Sequence, residues 1–410
     1  LKVLIIGSGG REHALAECFA KSEKVSGLFV APGNAGIAIA YNCLPLHTHA
    51  EIIRFCLDTH IDMVFIGPEQ PISEGLSDEL RVNGIKVIAP SRFAAQLETS
   101  KIFAKQLMQE KGIPTANYKI IKDIQSAEAR LSEFNYPVVI KADGLAAGKG
   151  VIIAEDYAAA MNALNKLSFT KQGVIAEEFL TGWEVSLFAL CDGWNYQSTI
   201  FAQDHKQLYD HDLGPNTGGM GAFAPVKQAE KYRRQIEEEI IEPTLAAMRE
   251  LGHPYQGVLY CGLMITATGP KVIEFNCRFG DPEAQVILPL LETDFVDICQ
   301  AILTNTIDTV QVKFSSEAAL GVVMASKGYP DSYATGFPIT MPNPIPEGVY
   351  FSGVAKGDGG LQTAGGRVLC VVGRGNDVQT AKAKAYKKLE SISFKAKTYR
   401  CDIGGRENTL

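Results

Sequence analysis

The chain has 410 residues, enough for roughly two to four domains that each bury a core of their own. Lys plus Arg is 39 against 46 Asp plus Glu, a formal charge of −7, which excludes the basic footprint of a nucleic-acid binder and a polybasic membrane patch. The nine cysteines are scattered without a CxxC pair, which excludes a zinc ribbon or disulfide framework and marks most of them as small buried hydrophobes.

Residues 1–6 read as a buried strand with a glycine turn behind it, so no secretory leader is expected. No apolar run approaches the roughly 20 residues of a membrane span. A reduced, cytoplasmic enzyme is expected, without nucleic-acid or membrane partners.

Residues 3–6 predict a short apolar strand, which Gly7-Ser-Gly-Gly10 turns into a helix over about 12–21. Residues 28–31, 64–66 and 87–88 predict further strands, ended by Pro32-Gly-Asn34, Gly67-Pro-Glu69 and Ala89-Pro90. Strands alternating with helical stretches predict a parallel sheet with helices on both faces. Ligands of such sheets collect at the carboxyl ends of the strands. Those ends carry Gly9, Gly10, Arg11 and Glu12, then Gly33 and Asn34, then Pro68 and Glu69. A dinucleotide fingerprint needs glycine where Glu12 stands, and residues 30–34 offer no acid for a ribose. A small phosphorylated substrate is the better expectation, with its phosphate on the helix N-terminus opened by Gly9 and Gly10.

Thr99-Ser100 caps a predicted helix over 101–110, ended by Gly112. Strands over 138–141 and 151–154 flank the loop 142–150. Its Gly144, Gly148, Lys149 and Gly150 suit closure over an anion, without the Gly-Lys-Ser/Thr of a Walker A. Lys141, on the strand before it, can reach the same phosphates. Residues 174–179 and 184–190 predict two more strands. At the crossing between them the backbone of Glu177, Glu178, Phe179 and Leu180 can bind an adenine edge, and Glu184 ribose hydroxyls. Taken alone, these carboxylates read as solvated. His205 and His211 lack metal spacing and read as surface or supporting residues. A helix over 237–251 contains Pro243, which predicts a kink or break. From about residue 319 short β segments with Gly/Pro turns follow, ending in a helix over about 378–389.

Two runs are denser in information. Gly214-Pro-Asn-Thr-Gly-Gly-Met-Gly221 predicts a loop whose backbone approaches a ligand closely. Val272-Ile-Glu-Phe-Asn-Cys-Arg-Phe-Gly-Asp-Pro-Glu283 begins as a strand. Alternation places Val272, Glu274 and Asn276 on one face and Ile273 and Phe275 on the other. Glu274 and Asn276 are then two oxygen ligands one pleat apart. That suits a hard cation such as Mg²⁺, which takes the rest of its shell from water and substrate phosphates. Arg278 close by can neutralise a transferring phosphoryl group.

Together Gly9–His13, Ala31–Asn34, Gly67–Glu69, Lys141–Gly150, Gln203–Lys206, Gly214–Gly221 and Glu274–Glu283 occur in an order that closely resembles the phosphoribosylamine–glycine ligase family of ATP-grasp enzymes, over nearly the whole chain. The resemblance implies a mixed α/β fold in three parts. These are an N-terminal Rossmann-like parallel sheet (1–100), an ATP-grasp pair (101–320, small lid about 115–185) and a small β-rich C-terminal domain (321–410). It implies ATP-dependent joining of glycine to 5-phosphoribosylamine in purine synthesis, by a monomer. It carries Mg²⁺ or Mn²⁺ onto Glu274 and Asn276. ATP falls on Lys101, Lys141, the glycine loop with Gly144, Gly148, Lys149 and Gly150, then Glu177 to Leu180, Glu184, Lys206 and Asn216. Catalytic roles fall on Lys206, Asp212, Arg278 and Asp281. Substrate contacts fall on Gly9, Gly10, Arg11, Glu12, Gly33, Asn34, Pro68, Glu69, Gly280 and Asp281. Three departures stand out: residues 166–174 are shorter than usual, Trp183 replaces a common acid, and His211 stands where glycine is usual.

Overall fold

The computed structural model describes residues 1–145, 150–167, 169 and 173–405. Strands β1 (Lys2–Gly7), β2 (Gly27–Pro32), β3 (Asn42–Cys43), β4 (Met63–Ile66) and β5 (Val87–Ile88) form a parallel sheet in the order β3-β2-β1-β4-β5. Their apolar residues alternate between two cores. Leu4, Ile6, Val64 and Ile66 join one; Val3, Ile5, Met63 and Phe65 join the other. Both faces are therefore covered, as continuous apolar strands require. The first helix, α1, spans Gly10–Ala20 and starts at the glycine turn itself, two residues before the predicted point.

The next sheet is antiparallel. It contains β6 (Tyr118–Ile121), β7 (Val138–Ala142), β8 (Val151–Ala154) and β9 (Val174–Glu178), ordered β6-β9-β7-β8. One face packs on Ala160, Ala163 and Leu164 of the helix Tyr157–Lys166. The predicted hairpin around the glycine loop is present: β7 pairs with β8, and Gly150 O accepts from Ala142 N at 2.8 Å. The loop residues Gly148 and Lys149, and part of the short stretch 166–174, lie outside the described residues.

The chain continues through β10 (Trp183–Asp192), β11 (Tyr196–Ser198), β12 (Gln203–Asp204), β13 (Gln207–Tyr209), β14 (Leu213–Asn216), β15 (Gly221–Ala224), β16 (Gln256–Thr266) and β17 (Gly269–Asn276). A third sheet runs β11-β10-β16-β17, and β13 and β14 form a separate hairpin. The kink or break expected at Pro243 takes the form of a π turn rather than a chain break. The helix Arg233–Ile236 widens into one π turn, Glu237–Ile241, and resumes as Glu242–Glu250 with Pro243 in its first turn. The wider turn accommodates a residue that has no N–H to give.

Strands β18 (Ala318–Ser326), β19 (Val349–Phe351), β20 (Val354–Gly357), β21 (Gly360–Thr363) and β22 (Arg367–Gly375) complete the fold. The final sheet runs β12-β15-β18-β22-β19, so two mid-chain strands belong to the sheet of the C-terminal segment. The helix Val378–Glu390 covers it through Ala381, Ala385 and Leu389. The two ends of the chain also meet: the His13 ring stacks on Phe351 at 5.6 Å, and its Nδ1 accepts from Phe351 N at 3.0 Å. Most cysteines are buried, as expected; Cys43 is partly exposed and Cys401 exposed.

Candidate active site

The β17 strand does not alternate strictly. Gly262 pairs with Glu274 and Leu263 with Val272, leaving Ile273 as an extra residue. The bulge changes the face presented. Val272 turns into the apolar core with Phe275 and Cys277, rather than sharing a face with Glu274. Beyond the bulge alternation resumes, and Glu274 and Asn276 stand side by side, with Asn276 Nδ2 3.4 Å from Glu274 Oε1.

Four predicted cations converge on that pair. Burial pushes the Glu274 carboxyl up, but Lys206, Lys141, Lys101 and Arg278 outweigh it and hold the group ionised, below its ordinary range. An ionised carboxylate beside an amide oxygen is a fitting donor pair for a hard cation. Among the described residues no cluster of three or more His, Cys, Asp or Glu forms a metal cage, so most of such an ion's shell would come from phosphate oxygens and water.

Each cation is held by a distinct element. Ser100 caps the helix Lys101–Lys111, accepting from Phe103 N at 3.1 Å. Lys101 Nζ donates to Gly144 O at 2.7 Å, and Asp143 Oδ1 accepts from Ile102 N at 3.2 Å. The glycine loop therefore starts at the helix N-terminus. Lys206 pairs with Glu184 at 3.0 Å. Burial pulls the Lys206 ammonium down, but Glu184 and Asp204 more than offset it and raise it well above its ordinary value. Burial pushes the Asp204 carboxyl up to about 8; Lys206 opposes the shift, and Glu283 and Glu184 add to it. Arg278 pairs with Glu98 at 2.8 Å and Glu69 at 3.2 Å, which joins the end of β17 to the first sheet.

The solvated reading of Glu177 is overturned. Its side chain is buried, with one oxygen on Lys141 and the other 2.5 Å from Lys105. Burial pushes its carboxyl up, yet the two lysines prevail and lower it. Glu178 instead accepts from Asn117 Nδ2 at 3.1 Å. Phe179 is exposed and Leu180 partly so, at the end of β9. Asn216 closes the β13–β14 hairpin, its Oδ1 accepting from Gln207 Nε2 at 3.3 Å.

Asp212 pairs at 2.9 Å with the fully buried Arg400, which also holds Asp402. His211 and Asp212 both have left-handed backbones, with φ of 59° and 56°. This is the conformation glycine adopts freely, and the reason a histidine there departs from the usual pattern. Asp402 Oδ2 accepts from His211 N at 2.9 Å and helps hold it.

At the strand ends of the first sheet, a cavity of about 410 Å³ is lined by Gly9, Arg11, Glu12, Pro68 and Asp281 among others. The expectation of a phosphate on the α1 N-terminus needs correction. Gly9 N donates to Glu12 Oε2 at 2.6 Å, Gly10 N to Ser352 Oγ at 3.0 Å and Arg11 N to Asp281 Oδ2 at 3.4 Å. Those N–H groups already have protein acceptors, two of them carboxylates that repel an anion. Asn34 is a strut: its Nδ2 reaches Ser8 O, Phe351 O and Ser352 O, and its Oδ1 accepts from Gly36 N and Ile37 N. Gly33 has φ of +67°, with Cys43 where a side chain would lie. Gly280 stands where a side chain would collide with Glu283.

The glycines of the 214–221 loop face protein atoms. A side chain at Gly219 would overlap Pro282. Arg367 Nη1 donates to Gly218 O at 2.6 Å and to Asp281 O at 2.5 Å. Burial pushes the Asp281 carboxyl up, but Arg367 and Arg11 lower it below the ordinary range. Sequence reading missed Lys105, Glu98 and Arg367. Each is an isolated charge whose partner is distant in the chain, so no spacing announces it.

Three family models match in succession: phosphoribosylglycinamide synthetase N domain at residues 1–98, its ATP-grasp (A) domain at 99–284 and its C domain at 319–406. A phosphoribosylamine–glycine ligase of Caldanaerobacter subterraneus subsp. tengcongensis is 44% identical, across 98% of this chain and 99% of that protein. The trifunctional purine biosynthetic protein adenosine-3 of Gallus gallus is 45% identical over 99% of this chain, which spans 42% of that longer protein. The crystal structure of the phosphoribosylamine–glycine ligase of Thermotoga maritima superposes with a TM-score of 0.88 at 36% identity, covering 98% of this chain and all of that one. A biotin carboxylase domain from Hydrogenobacter thermophilus, at 15% identity and a TM-score of 0.73, shares the fold. With three successive family models matched and full-length relatives well above 30% identity, the chain belongs to the phosphoribosylglycinamide synthetase family.

Proposed function

We propose that this chain joins glycine to 5-phosphoribosylamine at the expense of ATP, giving glycinamide ribonucleotide, ADP and phosphate in purine biosynthesis. The observation that carries the reading is the convergence of Lys101, Lys141, Lys206 and Arg278 on the ionised Glu274, in a chain whose full-length relatives bear the ligase name.

A carboxylate is a poor electrophile. Transfer of the γ-phosphoryl group to the glycine carboxylate gives glycyl phosphate. The amine of phosphoribosylamine then attacks its carbonyl carbon, a proton leaves the nitrogen, and phosphate departs. The protein's work is positioning and charge neutralisation. Glu274 and Asn276 would hold a Mg²⁺ or Mn²⁺ ion, which supplies charge neutralisation at the phosphates. Lys101, Lys141 and Lys206 hold the nucleotide's phosphates, and Arg278 faces the transferring group. Asp281 lines the strand-end cavity; held ionised by its arginines, it serves as an acceptor that orients the attacking amine. The amino sugar occupies that cavity, between Gly9, Arg11, Pro68 and Asp281. Acyl phosphates hydrolyse, so the site must exclude water during the reaction.

Among the described residues no helix is long and apolar enough to cross a membrane. The test is a coupled assay: ADP release must depend on both glycine and phosphoribosylamine, and the product must carry the glycyl amide. ADP release indifferent to the amine, with no amide formed, would reject the assignment.

A further inference from the structure

Behind Lys141 lies a second lysine that faces no solvent. Lys105, on the helix Lys101–Lys111, is only 3% exposed. A lysine that deep requires partners for its charge and all its donors. Lys105 Nζ lies 2.5 Å from Glu177 Oε2, donates to Thr115 Oγ1 at 2.7 Å and reaches Ala116 O at 3.5 Å. Glu177 Oε1 binds Lys141. Thr115 Oγ1 in turn donates to Val272 O at 2.7 Å, beside the bulge that sets Glu274. One buried chain of contacts thus runs from Lys141 on β7, through Glu177 on β9 and Lys105, to the strand that carries Glu274 and Asn276.

The charges along it explain its composition. Had Glu177 faced Lys141 alone, the two would neutralise each other, and an incoming phosphate would meet a satisfied ion pair. With Lys105 on the opposite oxygen, the group retains one surplus positive charge, and Lys141 stands on the side toward Lys101 and Glu274. Burial lowers the Lys105 ammonium, and Glu177 opposes that shift.

We propose that Lys105 is a positioning residue for the nucleotide: it offsets Glu177 so that Lys141 keeps its charge for the phosphates, and through Thr115 it fixes Lys141 relative to the Glu274 strand. The inference rests on the reading of Lys141 as a phosphate ligand.

The experiment measures ATP affinity by titration calorimetry, with KM for glycine and thermal midpoints, in four variants. Lys105→Met should weaken ATP binding about tenfold, the scale of one charge-assisted contact. The glycine KM should stay within about twofold, because uniform structural damage would move both. Lys105→Met/Glu177→Gln restores the surplus charge and should recover most of the ATP affinity. Thr115→Val keeps volume and charge but removes the hydroxyl that joins Lys105 to Val272 O, while the backbone bond from Val272 N to Pro114 O stays. It should weaken ATP about threefold, a smaller loss than removal of a charge, and it carries the test if Lys105→Met does not fold. Unchanged ATP affinity in both Lys105→Met and Thr115→Val overturns the inference. So does a parallel loss for ATP and glycine that Glu177→Gln does not rescue. Lys141→Met separates the two readings. If it leaves ATP affinity intact, the phosphate role of Lys141 fails; if it weakens ATP while the Lys105 variants do not, only the present inference fails.

Discussion

The Glu12 carboxylate occupies the space in which a side chain on Gly67 would lie: a Cβ there would fall inside van der Waals distance of Glu12 Oε1. Gly7, at the end of β1, faces the same carboxylate, with a Cβ placed 2.5 Å from Glu12 Cγ. Glu12 also holds Arg11 Nε at 2.6 Å, so swinging away would cost that buried ion pair. Gly67→Ala should therefore destabilise the protein by about 1–3 kcal/mol, the usual cost of overpacking a filled site. Urea unfolding measures it, and an unchanged midpoint would show that Glu12 is free to move.

Arg278 balances two carboxylates, one of them deeply buried. Burial pushes Glu98 up, and Arg278 pulls it back only in part. Arg278→Met removes that pull and leaves Glu98 buried without its cation, which should cost about 3–5 kcal/mol. Adding Glu98→Gln should recover part of the stability but none of the ADP release. Recovery of turnover in the double variant would remove Arg278 from the chemistry.

His13 makes stability depend on pH. Burial lowers its pKa from 6.5 to about 4, with Glu17 opposing, and its Nδ1 must stay unprotonated to accept from Phe351 N. Between those values the unfolded chain binds more protons than the folded one, so stability rises with pH there. The contribution is complete above about pH 6.5 and is lost as pH falls toward about 4. From about pH 7.5 to about pH 5 the loss from this group should be about 2 kcal/mol. Denaturant titrations of wild type and His13→Gln at the two pH values test it; the same pH dependence in both would assign the effect elsewhere.

Glu274→Ala removes the carboxylate on which four cations converge. ADP release should fall at least about a thousandfold, as when a preorganised charge is deleted from a phosphoryl-transfer site, while far-UV circular dichroism stays unchanged. Near-normal turnover would reject the proposed metal-ligand role of Glu274. Chelation with EDTA should stop the wild-type enzyme, and added Mg²⁺ should restore it.

What the sequence made legible follows from periodicity. Val3 to Ile6 announce a buried strand because consecutive apolar residues need a core on each side. Glu274 and Asn276 announce a shared face because they are two residues apart. The bulge at Ile273 was hidden, since it is a property of how β16 and β17 register rather than of either strand. Glu177 looked solvated because both lysines that bury it come from other elements. Gly9 and Gly10 suggested an anion site because Ser352 and Asp281, which accept from the N–H groups of Gly10 and Arg11, lie hundreds of residues away in the chain. The pairing of Asp212 with Arg400, 188 residues on, was likewise invisible to spacing. In each case a partner distant in the chain, which no local pattern shows, decided what the residue does.

The pairing of β15 with β18, Gly221 against Val322 through Ala224 against Ala319, bears on how such genes can be recombined. A crossover placed in the stretch before residue 318 looks safe in a linear map, because one family model ends at 284 and the next begins at 319. In space it would split a sheet between two parents, and with it the grip of Arg367 on Gly218 and Asp281. Chimeras of two relatives should tolerate exchange of 319–406 only when residues 203–224 travel with it.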